Sequence, residues 1–320
     1  MTWHEPPERA GPAVAQLIAS GPEAMFLPLA ADLAETLSAG HPLRNRFVTL
    51  TTEAIERSGL TGHSAAHLAE DVFRESVFNR FVERSLLLER WDETALYLRS
   101  KVDLSAVAAV LDSVGPAVLC AFHLSHLRLV AVALLTSDQP LLVVKAGLDS
   151  RLEAAPGRNL TARVLDSHRN GAPLGMVRGL RSGRSVFLTV DSREAGGRSA
   201  RVPFLQTEFE AQLGAGWAAA QAGRPLLPLT WVPDGDVLRV TPGTPIGAGP
   251  EAMARLFSHF GSFLRTSPHL WLSWFDLLEE ERVGGFRHEL RDVNERIATQ
   301  LRALPTSPQA TGPRGRGGRH

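Results

Sequence analysis

Apolar positions recur at helical intervals through the first third of the chain, and then the pattern changes. From Asn45 to about Leu98 they fall at Phe47, Leu50 and Ile55, at Ala66, Leu68, Val72 and Phe73, and at Phe78, Phe81, Val82, Leu86 and Leu87. Spacings of three and four predict three or four amphipathic helices. An Ala-, Leu- and Pro-rich stretch of helical spacing precedes them and is broken at Gly40-His41-Pro42. Ser100–Leu111 predicts a further short helix, ended by Gly115-Pro116. Ala117–Phe122 is a short continuous apolar run, the signature of a strand buried on both faces. A helix over Leu124–Leu135 follows, with Ser125 placed to cap its first turn. Pro140–Val144 predicts a second strand, followed by a polar helical stretch. Gly171–Gly179 predicts a helix leading into a third strand, Arg184–Val190. Phe209–Ala222 reads as helix. Pro225–Val232 and Val237–Thr241 read as the last two strands, around the turn Pro233-Asp234-Gly235. Glu251–Arg265 and Leu270–Glu281 close the pattern as helices.

Strands alternating with helices predict an α/β fold: a mixed, mostly parallel sheet flanked by helices, with the helical N-terminal third packed on it. One domain is expected over residues 1–304, helical to about 112 and sheet-containing over about 113–285. Residues 305–320 carry Pro, Gly, Ser and Arg without periodicity and read as a disordered tail. No internal repeat is visible.

Composition removes several classes of function. Thirty-four basic residues balance thirty-four acidic ones, so nothing draws the whole chain to a polyanion and no nucleic-acid partner is expected. The dense basic run Pro313–Arg319 belongs to the tail. The single cysteine, Cys120, excludes an intrachain disulfide and a cysteine-built metal cluster, and inside its apolar run it reads as a buried structural thiol. That fits a cytoplasmic setting. The N-terminus lacks the basic and apolar regions of a signal peptide. The longest apolar stretches, Leu127–Leu135 with Arg128 inside it and Ala215–Ala220, fall far short of the ~20 residues a spanning helix needs. A soluble protein is expected, or one resting on the inner face of the plasma membrane through Trp3, Phe26 or exposed leucines. His41, His63, His67 and His168 lack metal-ligand spacing, and no phosphate-binding glycine loop follows a strand, so no metal or cofactor is expected.

Two places can carry chemistry. His123, in Phe122-His123-Leu124-Ser125-His126, stands where a buried strand turns into a helix, the place where α/β sheets meet their ligands. An imidazole there is either a general base or a hydrogen-bonding loop residue. His126 reads as a supporting or surface residue. The second place is the charged loop Asp191–Arg198 after the third strand, where Arg193, Arg198 or Arg201 can bind phosphate, or simply face solvent. Trp271 and Trp274, three residues apart, read as packing.

The order of these segments resembles the lipid A late-acyltransferase family, within the lysophospholipid acyltransferase-like group. Gly115 to Val130 is similar to the family's buried strand running into its histidine. Gly157-Arg158 and Met176–Val186 look like its helix, glycine turn and next strand. Asp191 with Val202-Pro203-Phe204-Leu205, then Thr207 and Gly214 to Pro228, follow its later segments, and Leu270–Trp274 resembles its closing helix. The likeness spans about residues 40–285. It implies an acyltransferase that moves a fatty acyl group from an acyl-carrier-protein or coenzyme A thioester to a hydroxyl or amine. His123 is then the general base and Asp191 a catalytic partner, while Ser125, Arg128, Arg158, Arg193 and Arg198 line the substrate. Backbone N–H groups at the start of the helix after His123 would hold the oxyanion.

Two departures stand out. The family's acidic partner, five residues after its histidine, corresponds to Arg128, which can neither orient the imidazole nor stabilise its charged form. Asp191 or another carboxylate then has to reach His123 from a neighbouring loop, or a neutral histidine has to suffice for an amine acceptor, or transfer activity is lost. The last case gives a non-catalytic acyl-binding protein; an ester or thioester hydrolase, with water as acceptor, is a further alternative. The family's N-terminal membrane helix is also not visible, which opens the choice to soluble acceptors.

Overall fold

A computed structural model describes residues 42–87, 102–145, 164–166, 171–192, 198–235 and 237–289, with side chains on the second helix described as far as Ser76. The expectations for residues 1–41, including Trp3 and Phe26, for Arg158 and Arg193, and for the tail lie outside these residues.

Seven strands form the main sheet: β1 (Val102–Asp103), β2 (Val118–Ala121), β3 (Leu141–Lys145), β4 (Val164–Asp166), β5 (Ser185–Thr189), β8 (Leu226–Asp234) and β9 (Val237–Pro242). They lie in the order β1-β9-β8-β2-β5-β3-β4. From β8 to β4 every neighbouring pair is parallel, whereas β8 and β9 form an antiparallel hairpin whose second strand pairs in parallel with β1. The fold is therefore α/β with a mixed, mostly parallel sheet. All four residues of β2 are buried, as a central parallel strand covered on both faces requires. A separate hairpin pairs β6 (Ser199–Phe204) with β7 (Thr207–Gln212).

Helices α1 (Pro42–Arg57) and α2 (Ala65–Leu87) form the N-terminal layer, and α3 (Ser105–Val114), α4 (Leu127–Thr136), α5 (Ala172–Arg181), α6 (Gly214–Ala222) and α7 (Ala252–Thr266) follow. On α1, Leu43, Phe47, Leu50 and Ala54 make one buried stripe, and Phe47 meets Phe73 of α2 edge-on with centroids 5.3 Å apart. On α7, Leu256, Phe257, Phe260 and Leu264 make another, packed on β6 and β8. Phe122, directly after β2, stacks on Phe260 at 4.1 Å and touches Phe204, Phe257 and Trp271, so a buried aromatic block stands behind the end of β2.

Several elements differ from the sequence expectations. The helix expected from Ser100 begins at Ser105, after the short edge strand β1. Within the stretch expected to be a polar helix, the described residues Val164–Asp166 are edge strand β4. The helix expected from Phe209 begins at Gly214. Along Glu208-Phe209-Glu210-Ala211 exposed and buried residues alternate, a period of two that belongs to a strand. The closing helix expected over Leu270–Glu281 is instead two 3₁₀ turns, Pro268–Leu270 and Trp274–Leu277, followed by a helical stretch at 280–289. Between the turns Trp271 is extended, because its backbone bridges Leu124.

Candidate active site

The site follows from strand register. β2 and β5 are parallel neighbours, with Val118 opposite Val186 and Ala121 opposite Thr189. Two residues further along each chain stand His123 and Asp191, at the same end of adjacent strands. The register continues past the strands: the Val190 amide donates to the Ala121 carbonyl at 2.9 Å, and the His123 amide donates to Asp191 Oδ2 at 2.8 Å. Asp191 Oδ1 lies 2.7 Å from His123 Nδ1. Asp191 is fully buried, whereas the His123 side chain is 38% exposed.

Trp271 completes the carboxylate's surroundings. Its indole N–H donates to Asp191 Oδ2 at 2.8 Å. Asp191 thus accepts two N–H groups on one oxygen and faces the imidazole with the other. The hydrogen of the imidazole is accordingly assigned to Nδ1, and Nε2 carries the lone pair.

The turn that bears His123 is held from every side. The Leu272 amide donates to the His123 carbonyl at 3.0 Å, and the Ser125 amide donates to the Leu270 carbonyl at 2.7 Å. From β8, the Trp231 indole donates to the Ser125 carbonyl at 2.6 Å. From α2, Glu75 Oε2 accepts the Ser125 hydroxyl at 2.6 Å. His126 then takes a left-handed conformation, φ 67°, and ends the turn as the residue before α4.

This architecture corrects one expectation. Ser125 does not cap the helix: α4 starts at Leu127 without a side-chain cap, because Ser125 is buried and its hydroxyl is turned to Glu75. Three of the amides after His123 are engaged by the backbone. Those of Leu124, Ser125 and Leu127 bond to the carbonyls of Phe122, Leu270 and Leu124.

The other sequence candidates are dispersed. Arg128 is half-buried on α4, and the carboxylate at His123 comes instead from beyond β5. Arg198 is exposed just ahead of β6, where its carbonyl accepts the Leu213 amide at 2.9 Å. Arg201 is exposed on β6 with Glu208 across the hairpin. A cavity of about 670 Å³ lies between α3, α4 and the β1–β9 edge, lined by residues such as Val107, Leu111, Leu134 and Arg239; neither His123 nor Asp191 lines it.

No family model and no curated protein matches the sequence. Among solved structures, the chain is similar to the 1-acyl-sn-glycerophosphate acyltransferase PlsC from Thermotoga maritima, at 13% identity over 71% of this chain and 94% of that one, with a TM-score of 0.35.

Titration behaviour separates the neighbours of His123. Burial pushes the Cys120 thiol far above its usual range, so it stays protonated inside β2. Burial lowers the His126 imidazole, against a smaller opposing pull from Glu75. Two supporting residues escaped the sequence reading. Trp271 was read as packing, although a buried indole N–H demands an acceptor. Glu75 did leave a signal: it falls three residues after Val72, on the stripe that Leu68 and Val72 bury, where a carboxylate needs a partner.

Proposed function

We propose that this chain is an acyltransferase that moves a fatty acyl group from a thioester donor to a hydroxyl or amine, with His123 as general base and Asp191 as the carboxylate that orients it. The observation that carries this reading is the 2.7 Å contact between His123 Nδ1 and a buried Asp191. It supplies, from another strand, the acidic partner that Arg128 does not.

His123 Nε2 takes the proton from the acceptor O–H or N–H as that atom attacks the thioester carbonyl carbon. The C–O or C–N bond forms, the tetrahedral intermediate collapses, and the C–S bond breaks. The proton passes from the imidazolium to the departing thiolate, leaving an ester or amide and a free thiol. Asp191 keeps the proton on Nδ1 in the resting site and stabilises the imidazolium as it forms. The two nucleophiles nearest His123 in sequence fit no covalent intermediate: Cys120 is buried and protonated, and the Ser125 hydroxyl is buried against Glu75. Direct attack by the acceptor is the simpler course. The donor is an acyl-carrier-protein or coenzyme A thioester, by the family resemblance of the segments from Gly115 to Pro228.

The experiment is thioester consumption by the wild-type chain and by His123→Ala, with hydroxyl and amine acceptors supplied in turn. Acceptor-dependent thiol release that the substitution abolishes is expected; unchanged turnover removes His123 from the chemistry. One rival, an acyl-binding protein without turnover, is motivated by Arg128 at the position of the resembled family's acidic partner. That rival predicts saturable binding of acyl thioesters and no thiol release from the wild-type chain.

A further inference from the structure

The chain that carries Asp191 returns to the same carboxylate from another side. After β5 and Asp191 it builds the β6–β7 hairpin, and the last residue of β6, Phe204, is buried against Trp271, whose indole N–H holds Asp191 Oδ2. The two rings meet edge to face, with centroids 5.4 Å apart at 78°, so the positive edge of one lies on the negative face of the other. The other aromatic neighbours of that indole are Phe122 at 5.5 Å, Trp274 at 4.9 Å and Phe209 at 6.3 Å. Trp274 lies three residues along the same segment, and its own indole donates to the Pro268 carbonyl of that segment at 2.9 Å, so it moves with Trp271. Phe122 adjoins the turn that is being held. Phe204 and Phe209 come from outside both, and Phe204 is the nearer.

The hairpin is fixed firmly enough to serve as the reference. At its tip, the Gln206 amide donates to the Ser58 carbonyl, just beyond α1, at 3.0 Å, and the Gln206 side-chain amide donates to the Gly59 carbonyl at 3.2 Å. Leu205 takes φ 56°, a left-handed value that leucine seldom adopts. Gly59 has φ 66°, and a Cβ there would overlap the Gln206 side chain. Such backbone persists only where the surroundings impose it. At the base, the Leu213 amide donates to the Arg198 carbonyl at 2.9 Å. β6 also packs on α7, where Phe257 meets Phe204 at 5.7 Å.

We propose that Phe204 is a positioning residue for the His123–Asp191 pair: it stops the Trp271 indole from tilting and so keeps the indole N–H on the carboxylate that faces the imidazole. The proposal rests on these two residues being the working pair of the acyl-transfer reading. Leucine at position 204 stays apolar but removes the ring edge and opens space into which the indole can turn.

Nuclear magnetic resonance of the full chain with ¹⁵N-labelled histidine tests this with no substrate present, the His123 ring signals being those lost in His123→Ala. The wild-type ring is expected to carry its hydrogen on Nδ1, and Phe204→Leu to move the signals toward a mixture of tautomers. Phe257→Leu makes the same change at a ring of the aromatic block that meets Phe122, Phe204 and Phe209 but not Trp271, and leaves the signals in place. In thioester kinetics Phe204→Leu lowers kcat about three- to tenfold with KM little changed, the range of one hydrogen bond. Because Phe204 acts through the indole N–H, neither effect adds to that of Trp271→Phe in the double variant. Phe204→Met, closer in volume, gives the same directions should the leucine variant fail to fold. A wild-type ring with its hydrogen on Nε2, unmoved signals in a folded Phe204 variant, an equal shift in Phe257→Leu, or full additivity with Trp271→Phe overturns the proposal. A wild-type chain that releases no thiol, yet whose His123 ring responds to Phe204 in this way, leaves it standing and ends only the acyl-transfer reading.

Discussion

A carboxylate held by three groups has little freedom to turn, and Asp191 is fixed in this way by the His123 amide, the Trp271 indole and the His123 ring. Replacing one oxygen with an amide nitrogen keeps the shape and inverts the hydrogen bonding. In Asp191→Asn the new NH₂ group meets N–H donors, and the imidazole is driven to the tautomer whose Nε2 carries the hydrogen. The same inversion in a serine-protease triad lowers kcat about ten-thousand-fold. A fall of about that size in kcat, with KM little changed, is expected in steady-state thioester kinetics. Trp271→Phe retains the aromatic contacts and deletes one donor. One hydrogen bond contributes about 0.5–1.5 kcal/mol, so a loss of up to about tenfold in kcat is expected, and a change confined to KM would contradict the positioning role.

Elements, more than single residues, keep the His123 turn in place. β5 holds it through Asp191, β8 through the Trp231 indole, α2 through Glu75, and the segment after α7 through the Leu270 and Leu272 backbone. Ser125→Ala removes the hydrogen-bond link to α2, and one such bond contributes about 0.5–1.5 kcal/mol. A lower Tm is expected, together with faster amide exchange in the first half of α2. Exchange unchanged there would mean that the link is incidental. At this scale the sequence was readable where burial is uniform. The continuous apolar run Ala117–Phe122 located β2 to within one residue at either end. It misled where short elements carry mixed signals. β7 was absorbed into α6 because Phe209, four residues before Leu213, also fits a helical spacing, and only pairing with β6 fixed the alternate reading.

The stability of the whole molecule carries a pH dependence to which His126 contributes, as does His259, whose imidazole burial also lowers. Burial holds the His126 imidazole below the ordinary value of 6.5, so the unfolded chain binds a proton before the folded one does. Its contribution is complete above about pH 6.5 and is lost as pH falls through the interval between the unfolded and folded values, with a slope of at most about 1.4 kcal/mol per pH unit for one proton. His126→Asn, which suits the left-handed backbone, is expected to flatten the curve of unfolding free energy against pH below 6.5. Denaturant melts at a series of pH values measure this, and an unaltered slope would assign the acid sensitivity to another group.

The chain's own periodicity determined the α/β class, the positions of most strands and helices, and the placing of His123 where a buried strand ends. Those features are local, because burial on two faces or on one stripe writes itself into consecutive residues. The partnership of His123 with Asp191, 68 residues away, is different in kind. It depends on β5 lying between β2 and β3 in parallel register, and the order of strands in a sheet is set by packing across the whole fold. For the same reason, only the folded chain could bring Trp271 and Glu75 to the site.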